Sequence, residues 1–144
     1  MYLLDTNVVS ELRKVRLGTA DPGVARWAES VAVADLYLSA ITVQELELGV
    51  LLAERKEPAR GAVLRQWLDG QVVPSFDGRI LSVDAAVARR SAGLHVPVPR
   101  PIADGLIAAT ALVHGMTLVT RDAGHFAPMG VPLVNPWQPP ATSA

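Results

Sequence analysis

The feature that most limits the fold of this chain is an alternation. Short apolar runs suited to strands are separated by longer stretches suited to helices. YLL (2–4) is predicted as a strand, with a helix from about Asn7 to Val15 behind it. DPGVARWAESV follows with Asp21 as a cap and Pro22 at the first helical position. LYLSA (36–40) is a second strand, and ITVQELELGVLLAERK holds a helix from about Val43. Further on are a helix around 58–69, a strand near RILSV (79–83), a helix from Ala85 to Leu94 and one from Gly105 to His114. MTLVT (116–120) and VPLV (131–134) complete the strands. Such alternation implies a parallel sheet covered by helices on both faces. In sheets of this kind, sites lie outside the carboxyl ends of the strands.

The chain's size and charge narrow the chemistry. No repeat or low-complexity linker interrupts its 144 residues, so one domain over 1–137 is expected, with 138–144 as a flexible tail. A domain this long buries about 68–70% of its unfolded surface and needs no metal or disulfide to fold. Any metal would therefore be functional. With no cysteine, thiolate metal sites and cysteine nucleophiles are excluded. Thirteen Lys and Arg against 14 Asp and Glu give a net charge of −1, so attraction to nucleic acid must be local. MYLLDT carries no charged leader and no uninterrupted apolar run reaches membrane-spanning length. A cytoplasmic protein without a membrane partner is the expectation.

Four acids stand out against this scaffold. Asp5 leaves the first strand, Glu45 lies in the first turn after the second, Asp104 heads the apolar stretch GLIAATALVHG, and Asp122 follows the strand ending at Thr120. All four fall at strand exits or helix starts, along one edge of a parallel sheet. Carboxylates gathered there repel one another and raise some pKa values unless a cation intervenes. A divalent metal resolves the conflict.

Each acid also has a purely structural explanation. Asp5 and Asp104 can cap their helices, and TVQE (42–45) matches a capping box in which Glu45 reaches back to Thr42. Asp104 fits this role least well, because the helix behind it carries only Thr110 as a polar side chain before His114, which implies enclosure by the core. Asp84 and Asp21 are ordinary caps. His95, His114 and His125 lack a paired spacing for zinc, and the first two are assigned to structure or surface.

The stretches YLLDTNVVSEL, LSAITVQELELG, ADGLIAATALVHG and LVTRDAGHF, in this order and followed by VPLVNPW, resemble the PIN-domain ribonucleases, and among them the VapC-type toxins of bacterial toxin-antitoxin pairs. The likeness covers nearly the full chain. It implies a three-layer α/β/α fold around a parallel sheet of four to five strands. It also implies an endoribonuclease dependent on one or two Mg2+ or Mn2+ ions, with Asp5, Glu45, Asp104 and Asp122 as catalytic and metal-binding acids. Thr6, Asn7, Ser39 and Thr120 match the surrounding polar shell. Arg121, Arg13 and Arg16 are candidates for phosphate contacts. The resemblance further implies cleavage of structured RNA to a 3′-hydroxyl and a 5′-phosphate, a homodimer, and a VapB-like antitoxin seated in an apolar groove formed by the helices around 7–15 and 43–70.

One departure bears on the fourth acid. Relatives often carry Asn at the position of Asp122 and an acid just before the residue matching Phe126, where this chain has His125. Either Asp122 or His125 completes the set, and the place is assigned to Asp122. An RNA-processing nuclease without an antitoxin is the nearest alternative. A phosphatase of haloacid dehalogenase type wants a second Asp where Asn7 stands, and a signalling receiver wants a late Lys, absent beyond Lys56.

Overall fold

The computed structural model describes residues 1–137, so the expected tail at 138–144 lies outside the described residues. Five strands form a wholly parallel sheet in the order β3-β2-β1-β4-β5, with β1 Tyr2–Leu4, β2 Leu36–Ser39, β3 Ile80–Leu81, β4 Thr117–Val119 and β5 Leu133–Val134. From β1 the chain winds outward to β2 and β3, then returns to the other side of β1 to make β4 and β5. The order therefore reverses between β1 and β4, and a crevice opens at their carboxyl ends.

The helices are α1 Thr6–Leu17, α2 Pro22–Ser30, α3 Ala40–Lys56, α4 Pro58–Trp67, the short α5 Val73–Ser75, α6 Ala85–Leu94, α7 Ile102–His114 and the short α8 Ala123–Phe126. Neighbouring residues of one strand serve opposite faces of the sheet. Leu3 and Leu118 pack with α6 and α7 through Val87, Leu94 and Ile107, whereas Leu4 and Val119 pack with α1 and α3 through Val8, Leu46 and Val50. Truncating a fully buried leucine such as Leu3 or Leu4 to Ala costs about 2–5 kcal/mol in such cores. This two-sided burial gives the three-layer α/β/α architecture expected from the alternation. Among the described residues, no helix is long and apolar enough to cross a membrane.

Several boundaries differ from the sequence expectation, each for a local reason. β2 runs straight into α3: Ser39 is the cap, its Oγ accepting from Ile41 N at 3.0 Å. The helix thus starts at Ala40 rather than Val43. Thr42 is buried within it, and the TVQE capping box does not form. Likewise α7 starts at Ile102, directly after Pro101, so Asp104 lies inside the first turn rather than capping a helix that begins at Gly105. Beyond Trp67, α4 continues through a π-type turn, Leu68–Val72, into α5, where a stop near 69 was expected.

The α3–α4 hairpin is unusually close. A Cβ at Gly61 would overlap the backbone of Glu54, so only glycine admits this approach. Arg65 closes the same hairpin by pairing with Glu47 at 2.6 Å and Glu54 at 3.0 Å.

Candidate active site

The predicted acids gather at the crevice where strand order reverses. Asp5 is at its base, only 7% exposed. It does cap α1, with Oδ1 accepting from Thr6 N at 2.8 Å. Oδ2 accepts from the fully buried Thr120 Oγ1 at 2.8 Å and makes a longer contact, 3.5 Å, with Asn7 Nδ2. The cap and the site are therefore the same carboxylate, using different oxygens. Burial raises its pKa, hydrogen bonds from Thr120 and Thr6 oppose the rise, and the nearby charges of Asp104 and Glu45 add to it.

The other three acids approach from separate elements. Glu45, released from the capping role, accepts from Thr6 Oγ1 at 2.6 Å, and that hydroxyl lies 3.5 Å from Thr42 Oγ1. Asp104 is partly exposed rather than enclosed, and its Oδ2 stands 2.9 Å from His125 Nε2. Asp122 is exposed: its Oδ2 accepts from Asn7 Nδ2 at 3.2 Å, and its N donates to Thr120 Oγ1 at 3.0 Å. Asn7 thus links Asp5 to Asp122, while its Oδ1 accepts from Arg121 N at 3.3 Å.

Of the four polar residues matched to the surrounding shell, Thr6, Asn7 and Thr120 hydrogen-bond to the acids. Ser39 is fully buried, and its hydrogen bond serves the α3 cap instead. Sequence spacing did not reveal that Asp122 and His125 hold different partners, Asn7 and Asp104 respectively. The turn of α8 that separates them, starting at Ala123, carried no recognisable helical signal. Arg121 has its guanidinium 5.5 Å from the Trp137 ring centroid. Arg13 and Arg16 lie two to three turns along α1, lining clefts against Trp67.

Oxygen donors of this kind suit a hard divalent cation. The charges of Asp104 and Glu45 already burden the buried Asp5, a load that a cation reverses. As placed, the carboxylates are turned to protein partners: Glu45 to Thr6, Asp104 to His125 and Asp122 to Asn7. Among the described residues, no three acids or histidines stand close enough together to hold one ion in that arrangement. The donors fit such a cation by their chemistry, but as placed they do not share one ligand position.

The chain and its fold have counterparts among known proteins. The family model for the PIN domain matches residues 2–130. The chain is 40% identical over 144 residues to the VapC ribonuclease Y4jK of Sinorhizobium fredii, covering 96% of this chain and 99% of the relative. It is 41% identical over 142 residues to the toxin FitB of Neisseria gonorrhoeae, covering 95% and 99%. A solved structure of FitAB bound to an IR36 DNA fragment superposes with a TM-score of 0.87 at 39% identity, covering 99% of each chain. That of FitAcB from Neisseria gonorrhoeae gives 0.86 at 40% identity, covering 96% and 99%. The chain belongs to the PIN-domain family, among its VapC-type members.

Proposed function

We propose that this protein is a Mg2+- or Mn2+-dependent endoribonuclease that cuts structured RNA and acts as the toxin of a type II toxin-antitoxin pair. The observation that carries the nuclease reading is the buried Asp5 at the β1/β4 crevice, with Glu45 and Asp104 near enough to raise its pKa. Relatives at about 40% identity that bear the names ribonuclease and toxin support it.

Asp5 and Asp104 would be the firmest holders of one or two ions, with Glu45 and Asp122 completing the set. A bound divalent ion supplies a water of lowered pKa and neutralises charge on the reacting phosphate. The chain's own contribution is placement. Thr120 and Thr6 N fix both oxygens of Asp5, Thr6 Oγ1 restrains Glu45, and Asn7 ties Asp122 to Asp5. Attack by water on phosphorus with departure of the 3′-oxygen leaves a 3′-hydroxyl and a 5′-phosphate, and the ribose 2′-hydroxyl takes no part.

The toxin reading adds partners. A largely apolar cleft of about 330 Å³ lies between α1 and the segment 67–76, lined by Val9, Leu12, Trp67, Val72 and Phe76. It suits the apolar face of an antitoxin segment. This groove uses the predicted 7–15 helix, but its second wall is 67–76 rather than α3. On α3, Leu48, Leu51 and Leu52 are each more than half exposed at helical spacing, which supports a homodimer.

Purified protein should cut RNA, stop in EDTA and recover with Mg2+ or Mn2+, while Asp5→Asn and Asp104→Asn remain folded and inactive. Undiminished cleavage in EDTA would defeat the metal mechanism. Expression of the chain alone should arrest growth; unimpaired growth with active, folded protein would assign it to RNA processing without an antitoxin.

A further inference from the structure

The acid site continues into a second cleft, of about 320 Å³, between α1, α3 and α4. Thr6 and Glu45 belong both to the acid cluster and to this cleft. Beyond them its walls carry Arg13, Lys14 and Arg60, with Trp67 alongside, and Glu45 is the one acid in the lining. An adjoining cleft shares Arg13 and Trp67, adds Arg16, and contains no acid. In a chain of net charge −1, this is a local inversion of sign that opens onto the carboxylates.

The cations differ in how committed they are. Arg65 on the neighbouring turn is taken up by Glu47 and Glu54. Lys14 has a 3.4 Å pairing with Glu11, long and solvent-exposed on the lysine side. Among the described residues, Arg13 and Arg60 have no carboxylate partner within ion-pair distance. Unpaired guanidinium groups present forked donors that match a phosphate. From Thr6 to Arg13 is seven residues along α1, about 10 Å, and Arg16 is about 5 Å further. The indole of Trp67 is half-buried, leaving part of its surface for a stacked base.

We infer that this basic cleft is the track for the single-stranded RNA segment adjoining the scissile phosphate. Its neighbouring phosphates rest on Arg60 and Arg13, and a base lies against Trp67. The inference rests on the nuclease reading above. An acidic protein segment would also be attracted by these cations, but the same segment would be repelled where the cleft ends on Glu45 and its neighbouring acids. A phosphodiester is repelled there equally unless, as the nuclease reading has it, a divalent ion lies between; what favours RNA is the half-buried Trp67 in the same lining, which offers a ring to a base that an acidic segment lacks.

The test is a salt titration. Binding of a fluorescein-labelled single-stranded RNA to the full chain carrying Asp5→Asn is followed by anisotropy across a KCl series. For single strands, each phosphate neutralised contributes about 0.7 to the slope of log affinity against log salt, or roughly 2.6-fold in affinity for a fourfold change in salt. Arg60→Ala, which removes one phosphate partner, is expected to flatten the slope by about that amount, and Arg13→Ala/Arg60→Ala by about twice as much. Arg89→Ala and Arg90→Ala, on the exposed face of α6, should leave it unchanged. Arg60 is exposed, so its variant folds even if the half-buried Arg13 proves less tolerant. Unchanged slopes in the cleft variants, or equal flattening in the α6 controls, overturn the assignment. Loss of poly-glutamate binding with RNA binding intact would give the cleft to an acidic protein segment and also overturn it. Failure of the unsubstituted chain to cut RNA, with a cleft-dependent slope in the Asp5→Asn series, would overturn the nuclease reading and leave the binding track standing.

Discussion

Replacing Thr120 by Val tests how Asp5 is held. The Thr120 hydroxyl is fully buried, donates to Asp5 Oδ2 at 2.8 Å and accepts from Asp122 N at 3.0 Å. Valine keeps the shape and removes both bonds. Asp5 Oδ2 is then left with the 3.5 Å contact from Asn7, whereas Asp122 is exposed and its N–H can turn to water. The cost is therefore set by the bond to Asp5, roughly 1.5–3 kcal/mol for a buried hydrogen bond to a charged acceptor. For a domain near this length, that corresponds to a fall in Tm of about 3–12 °C. Urea unfolding and thermal melts of Thr120→Val and Thr120→Ser measure it, with serine restoring most of the stability because it keeps the hydroxyl. In an Asp5→Asn background the valine substitution should cost less, since the acceptor is then neutral. A Thr120→Val protein within about 0.5 kcal/mol of its parent, the range of an inconsequential substitution, or a serine variant as unstable as the valine one, refutes the role given to this hydroxyl.

Other outcomes follow from neighbouring contacts. Asn7→Ala, which unties Asp122 from Asp5, should reduce metal-supported RNA cleavage by about 10–100-fold, with far-UV circular dichroism unchanged. Gly61→Ala should destabilise the fold by about 1–3 kcal/mol in urea unfolding, because its Cβ meets the Glu54 backbone. Gly49→Ala, also in a helix but with open space around it, should instead be neutral or gain up to about 1 kcal/mol. Mn2+ at roughly a hundredfold excess over its Kd should stabilise the parent by about 2.7 kcal/mol and leave Asp5→Asn unaffected. Equal stabilisation of both proteins would place the ion elsewhere.

Much of the fold was legible because it rests on local patterns. The apolar run at 2–4 and the Asp21-Pro22 and Asp84 caps stand where they were expected, with Asp84 accepting from Val87 N at 2.9 Å. Errors came where two local signals competed. TVQE looks like a capping box, yet Ser39 lies three residues earlier at the strand exit and captures the helix start. The helix was expected to begin at Gly105 because Asp104 before it reads as a cap. Inside α7 Gly105 is tolerated because its missing side chain makes room for His95 and Ser91, a tertiary contact that no local pattern contains.

By itself, the sequence determined the alternation of elements, the parallel three-layer arrangement and which acids fall at strand exits and helix starts, since periodicity, caps and residue order are local properties. Tertiary structure decided the rest. Only the reversal of strand order beside β1 puts Thr120 against Asp5, 115 residues away in the chain. Only packing assigns His125 to Asp104 and Asp122 to Asn7. The same packing commits Arg65 to Glu47 and Glu54 while Arg13 and Arg60 face an open cleft. The physical reason is that a hydrogen bond or ion pair depends on separations of about 3–4 Å, and sequence distance carries no information at that scale until the sheet is assembled.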